Sequence, residues 1–366
     1  MSRSDLQDTF AQLDHVRAAE PRAAMATLVS TKGTTPRKEG AKMWVSEQGR
    51  LLGSVTIGGC VDARVIQASE QVLRSGTAEL LTMSLGDADA WDMGLTCGGM
   101  VQVLIEPVSL RDAGDPIVCA YASLRAEREA GRHAVSVAPL SGVAARLVVR
   151  EDGTTAGTLG STALDDEARE HAMDVMRRAA SCTSALSAAG DALYFFELHG
   201  PATTLIIFGA GQVAIPLVTI ARSLGWRTVV VDNRERHATR ERFPEADEIR
   251  LGMLGDEAER LTYDASTVAV IVAHDYKYEL PVLRVLLQRE PAYIGLLGNA
   301  GRGHALLGFL ADEGYDAGTL ERVHVPVGLH IGAGTAAEIA LSIAAEIVAV
   351  RAGRDSARHA HTGSAS

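Results

Sequence analysis

No stretch of the chain approaches the roughly 20 uninterrupted apolar residues that a membrane-spanning helix needs. The alanine-rich run from Thr335 to Val350 is broken by Glu338 and Glu346 and reads as a packed helix. Cysteine is scarce: Cys60, Cys97, Cys119 and Cys182 lie far apart, with no CxxC pair. That pattern fits reduced thiols in the cytosol better than a disulfide framework. Positive charge is also short, with 35 lysines and arginines against 46 acids and a formal net charge of −11. Nucleic acid and anionic membrane are therefore not expected partners, although a small anion held by a local cradle remains compatible. The polar, acidic start, Met1 to Phe10, does not resemble a secretory signal. No Ser/His/Asp order, carboxylate pair or tetrahedral zinc pattern stands out, so no catalytic engine is visible.

What is present is ordinary globular material. The 366 residues are 47% hydrophobic and 22% charged, enough for two or three cores. The pattern predicts a helix over 4–20, strands over 23–31 and 41–45, and a loop between them carrying Arg37 and Lys38. An amphipathic helix is expected over 61–75, with Gly76 as its stop. Strands at 80–85 and 100–105 complete a small sheet. A middle section follows, with helices near 116–130 and 165–180 and strands near 134–138, 144–150 and 193–198. Gly200-Pro201 punctuates a boundary. The expected domains are 1–200 and 201–353, followed by a disordered tail at 354–366. No internal repeat is evident.

From Thr204 strands and helices alternate, the signature of a doubly wound parallel sheet. Strands are expected at 204–208, 227–231, 248–251, 267–273 and 293–297, each almost wholly apolar because helices cover both faces. The first strand runs into Gly209-Ala210-Gly211, and a helix begins near Gln212. Such a turn lets backbone amides approach a phosphate, helped by the helix dipole. Asp232 ends the next strand, where an acid can accept from ribose hydroxyls. Arg234 is a candidate for a 2′-phosphate, with a solvated loop arginine as the alternative. His274 and Asn299 follow two further strand ends and point by topology toward the crevice; a histidine satisfied by loop carbonyls is the duller reading.

Two cysteines sit beside glycine pairs, in Gly58-Gly59-Cys60 and Cys97-Gly98-Gly99. Cys60 lies at the mouth of the 61–75 helix, where the dipole favours thiolate, and Arg64 can add to the effect. Thiolates are soft ligands for molybdenum, copper or a transferable sulfur, and Arg37 with Lys38 can bond an anionic head group. Each cysteine can equally be a small apolar filler. Cys119 and Cys182 fall in or at the ends of expected helices and are read as packing residues.

These motifs together resemble the XdhC/CoxI family. The amino-terminal resemblance rests on Thr34-Thr35-Pro36-Arg37, Gly40-Ala41-Lys42-Met43, Gly58-Gly59-Cys60-Val61-Asp62 and Cys97-Gly98-Gly99. The carboxyl-terminal resemblance rests on Phe208-Gly209-Ala210-Gly211, Val231-Asp232, Arg242-Phe243-Pro244, His274-Asp275, Tyr293-Ile294-Gly295-Leu296-Leu297-Gly298 and Pro326-Val327-Gly328-Leu329. Departures are one extra residue before Cys60, and His330 and Gly334 where the family has an aspartate and a larger residue.

The resemblance implies a chaperone for the molybdenum cofactor, molybdopterin or a dinucleotide form of it. It would hold the cofactor while a cysteine desulfurase supplies sulfur, then insert it into the apoenzyme of a xanthine dehydrogenase-type molybdenum hydroxylase. By position, Cys60 and Cys97 become contacts for molybdenum or sulfur, and Gly209, Gly211 and Asp232 contacts for the phosphate or nucleotide. A homo-oligomer such as a dimer is the expected assembly. The alternatives are an NAD(P)-dependent oxidoreductase, with His274 as acid or base, and a nucleotide or redox sensor.

Overall fold

The computed structural model describes residues 9–33, 37–56, 60–84, 99–142, 144–190, 192–273 and 275–353, and of Cys60 the backbone alone. The tail expected to be disordered, 354–366, lies outside the described residues. The fold is mixed α/β and divides into two compact units, Met1–Pro201 and Ala202–Ser366.

The first unit opens with α1 (Thr9–Ala19), β1 (Arg22–Gly33), β2 (Lys42–Ser46), β3 (Leu51–Gly53), α2 (Cys60–Ser75), β4 (Glu79–Ser84) and β5 (Gly99–Ser109). It continues with α3 (Pro116–Glu129), β6 (Ala134–Pro139), β7 (Arg146–Arg150), β8 (Thr155–Thr158), α4 (Thr162–Arg178), β9 (Cys182–Leu186) and β10 (Ala192–His199). The strands form two antiparallel sheets, ordered β3-β2-β1-β5-β4 and β8-β7-β6-β10-β9.

These are the same topology twice: helix, three strands, helix, two strands. The expectation of no internal repeat is thus corrected. Apolar core positions accept any residue of suitable volume, so the two copies have kept pattern rather than identity. What survives marks the register. Gly53 and Gly157, both at φ +81°, stand opposite Met43 and Leu147. A Cβ on either would collide with the carbonyl oxygen of the strand-opening cation, Lys42 or Arg146. Just after each glycine a hydroxyl donates to an aspartate in the first turn of the next helix. Ser54 Oγ reaches Asp62 at 2.5 Å, and Thr158 Oγ1 reaches Asp165 at 2.7 Å.

The two copies also exchange charge. Lys42 Nζ donates to both carboxylate oxygens of Glu197 on β10, at 2.8 Å each. Arg146 on β7 donates in return to both oxygens of Glu106 on β5. Such reciprocity, i to j and j to i, is the mark of a two-fold interface, here within one chain. All four side chains are buried or nearly so. They sit on the sheet faces that meet, beside Met25, Trp44, Tyr121, Leu124 and Val148, while α2 and α4 cover the outer faces.

Burial alone would raise the Glu197 carboxyl, but the Lys42 ammonium and the His199 ring hold it well below the usual carboxylate range. Cys119 and Cys182 are both exposed, which corrects their reading as packing residues. Cys119 occupies the outer face of α3, its thiol turned to Ala113 O at 3.0 Å. Cys182 opens β9, a strand that weak apolar patterning hid.

The second unit runs β11 (Thr204–Phe208), α5 (Ala214–Ser223), β12 (Arg227–Asp232), β13 (Glu248–Leu251), α6 (Leu254–Arg260) and β14 (Thr267–Ile271). Then come α7 (Tyr276–Gln288), β15 (Tyr293–Leu296), α8 (Ala300–Asp312), α9 (Ala317–Glu321), β16 (Val323–His324) and α10 (Ala336–Arg351). Its six strands are parallel, ordered β13-β12-β11-β14-β15-β16. α5 and α10 cover one face, and α6, α7 and α8 the other, as the apolar strands required. The order reverses between β11 and β14, which places a crevice at their carboxyl ends.

Two stability outcomes follow from the exchanged charges. Glu106→Leu strands Arg146 in the core and is expected to cost about 3–5 kcal/mol, most of it recovered when Arg146→Met is added. Denaturant unfolding of both variants checks this. Because folding lowers the Glu197 carboxyl, its contribution is present above the unfolded value of 4.5 and drains away as the pH falls further. Glu197→Gln should therefore be less stable than wild type at pH 7, and the gap should narrow below about pH 4 in thermal melts.

Candidate functional site

β11 delivers the chain into the crevice, and Gly209 turns it there. Its φ of +112° suits glycine, and a Cβ would stand 2.9 Å from Ala273 N and 3.1 Å from the Val272 carbonyl carbon. The Gly209 amide is spent on Val231 O at 2.8 Å, and the Ala210 amide on Asp232 Oδ2 at 2.6 Å. From behind, Arg242 Nη1 donates to Ala210 O and His237 O, each at 2.9 Å. Among the described residues none accepts from the amides of Gly211, Gln212 or Val213, which lead into α5. Free amides at a helix mouth fit an anionic oxygen.

Asp232 is buried and fully used. Its Oδ1 accepts from Arg234 N at 2.8 Å and Arg234 Nε at 2.9 Å; its Oδ2 accepts from Ala210 N and from Arg234 Nη2 at 2.7 Å. A carboxylate offers about four acceptor positions, so ribose hydroxyls find none free until Arg234 leaves. Burial pushes this carboxyl up, but Arg234 and the amides outweigh it and hold it below its ordinary value. Asp232 and Arg234 thus come together as one clamp on the glycine turn after β11, with half-exposed Arg234 as its outer part.

Asn299 caps α8, its Oδ1 accepting from Arg302 N at 2.8 Å. His274 lies outside the described residues. Beside it sequence reasoning missed a pair. Glu279 is fully buried at the start of α7 and accepts from Arg302 Nη2 across the crevice rim. The available signal was an acid standing in phase with the buried Val282, Leu283, Leu286 and Leu287. Burial pushes the Glu279 carboxyl above its usual range, with Arg302 only partly opposing.

In the first unit α2 begins at Cys60. Arg22 Nη2 donates to Leu73 O at 3.2 Å, so α2 runs antiparallel to β1 and its Cys60 end lies toward the far end of that strand. There Gly33, which leads to the Arg37 loop, pairs with Gly99, which follows Cys97. The backbone therefore brings the start of α2 at Cys60, Gly33 and Gly99 toward one end of the sheet. Arg37 itself is partly buried, and Cys97 lies outside the described residues. Among the described residues no group of three or more His, Cys, Asp or Glu could hold a metal ion.

Comparison with known proteins finds family matches in both units. Residues 205–347 match the XdhC Rossmann domain, and residues 16–84 and 136–185 match the XdhC and CoxI family. A Bacillus subtilis protein named as a probable xanthine dehydrogenase subunit is 28% identical over 341 residues, covering 93% of this chain and 96% of that protein. The Escherichia coli molybdenum cofactor insertion chaperone PaoD is 25% identical over 332 residues, covering 90% and 83%. A Bacillus halodurans crystal structure described as a xanthine dehydrogenase superposes with a TM-score of 0.77 at 27% identity, covering 97% of each chain.

Gly209→Ala tests the turn. Strain at positive φ together with the clash at Ala273 is expected to cost about 1–3 kcal/mol in thermal or denaturant unfolding and to abolish phosphate-ester binding. A variant that binds normally would show that the turn is not the anion cradle.

Proposed function

Because the chain belongs to the XdhC/CoxI family, we propose that it is a molybdenum cofactor chaperone serving a molybdenum hydroxylase of the xanthine dehydrogenase type. The observation that carries this reading is the open row of amides at Gly211, Gln212 and Val213, braced by Asp232, Arg234 and Arg242. Such a cradle holds a phosphate by hydrogen bonds and helix dipole, and needs no acid–base machinery. The names of the B. subtilis and E. coli relatives support the same role.

In this reading the phosphate of molybdopterin, or of its dinucleotide form, rests on the amides ahead of α5. Cys60, at the start of α2, is the candidate contact for the metal or its sulfur, with Cys97 and Arg37 as further candidates. When bound, the cofactor supplies the molybdenum that a hydroxylase requires. The chain's own part is to bind, orient and release, while a cysteine desulfurase furnishes the terminal sulfur. The full engagement of Asp232 favours this over an NAD(P)-dependent oxidoreductase, which would use that acid on ribose.

Protein purified without oxygen after expression with molybdate is expected to carry molybdenum and an oxidisable pterin, read by mass spectrometry and pterin fluorescence. Its absence would overturn the reading. Cys60→Ala is expected to fold normally, to judge by circular dichroism and melting, and to lose most of its molybdenum. Wild-type metal content in that variant would remove Cys60 from the site.

A further inference from the structure

We infer that Glu279 and Arg302 form a subsite that reads the ring lactam, an adjacent C=O and N–H, of a flat heterocycle lying beyond the phosphate turn. The inference deepens the chaperone reading and rests on it for the cofactor's presence. It stands on four features of the crevice rim.

First, β14 and β15 end side by side, and the first turns of α7 and α8 face each other above them, bearing Glu279 and Arg302. Second, Glu279 is fully buried, yet only one of its oxygens is used; Oε1 has no hydrogen-bond partner among the described residues. Native proteins rarely leave a buried acceptor unpaired without a functional reason. Third, Arg302 is one-fifth exposed, and its Nη2 alone is committed to Glu279. Its Nη1 lies over Gly298, where a Cβ would stand 3.5 Å away. Fourth, the Arg302 guanidinium lies 4.9 Å from the centroid of Tyr276, a ring that is 46% exposed.

The chemistry of these atoms defines the ligand. Oε1 seeks a donor, and the spare guanidinium amine seeks an acceptor beside it. The Tyr276 face supplies a stacking platform next to both. A cyclic lactam satisfies the pair at once, with its N–H to Glu279 and its C=O to Arg302. Guanine, uracil and pterin rings carry that edge. Adenine has no ring carbonyl, and cytosine has no ring N–H beside its carbonyl. Glu279 is fully buried, so a ring enters only when the exposed Tyr276 side chain lifts off the Arg302 guanidinium, which frees its face to stack on the ring while Arg302 stays on Glu279.

The test is equilibrium binding of GMP, AMP and CMP to the full-length protein, wild type against the double variant Glu279→Leu, Arg302→Leu. Removing both partners avoids leaving one buried charge unpaired, and melting temperature checks the fold. Wild type is expected to bind GMP at least about tenfold tighter than AMP or CMP, roughly the worth of one charged hydrogen bond. The double variant is expected to bind all three within about twofold of one another, near the wild-type affinity for AMP, because the phosphate turn is untouched. Equal binding of the three nucleotides by wild type, or an unchanged GMP preference in the variant, would overturn the subsite. The pterin content of the wild-type preparation is measured alongside. Pterin present without GMP preference sinks the subsite and leaves the chaperone reading, whereas GMP preference without pterin sinks the chaperone reading and leaves the subsite.

Discussion

At the carboxyl end of β12 a single buried carboxylate accepts four hydrogen bonds, and the usable shape of the second unit depends on them. Asp232 ties the Ala210 amide to the neighbouring strand and draws Arg234 down onto the same group. The turn after β11 is thereby stiffened on one side, while Gly209 rests against Val272 and Ala273 on the other. A phosphate cradle is useful only when its amides are already aimed before the ligand arrives, since binding then need not offset the ordering of the loop. The amides left over, from Gly211 onward, are free because their predecessors are fully engaged.

The first unit solves a different problem. Its two copies of one seven-element unit bury charge against each other through Lys42–Glu197 and Arg146–Glu106. Buried ion pairs add little net stability, but a misaligned one is expensive, so the exchange pins the register between the sheets. The copies have since diverged at the mouths of their outer helices. Asp62 and Asp165 occupy matching places, yet two residues ahead of them stand Cys60 in one copy and Ala163 in the other. In the second copy Ser161 Oγ closes the helix by accepting from Leu164 N. In the first, two glycines and a cysteine occupy that stretch, so the copy bearing the family's motif is the one without a serine cap. The shared aspartate staple therefore belongs to the fold, and the cysteine to whatever the first copy does alone.

Much of the second unit was legible in the chain itself. The inner strands β11, β12, β14 and β15 are covered on both faces and are almost wholly apolar, whereas the edge strand β13 carries Glu248 and Arg250 and is only partly buried. The glycines, Asp232 and the following helix occur in the order the topology demands. The first unit was harder to read. Antiparallel strands such as β8 and β9 are short and half exposed, which weakens their alternation, and the identities that survive duplication, such as Gly53 with Gly157 and Asp62 with Asp165, are too sparse to announce a repeat. Cys119 was misplaced because a cysteine in a helical pattern does not reveal which side of the helix it occupies, and Cys182 because it opens a strand that the pattern hid.

Taken by itself, the order of residues determined the Rossmann-type half, the glycine turn after β11, the place of Cys60 at a helix start and the family, because these depend on local backbone demands and apolar period. Only the tertiary structure decided that Asp232 is spent on Arg234 and Ala210, that Lys42 and Arg146 find their acids in opposite copies, and that Glu279 is buried with one oxygen idle. Those outcomes depend on which groups share a low-dielectric space, and hydrogen-bond partners such as Ala210 and Asp232, 22 positions apart, or Lys42 and Glu197, 155 apart, leave no periodic trace.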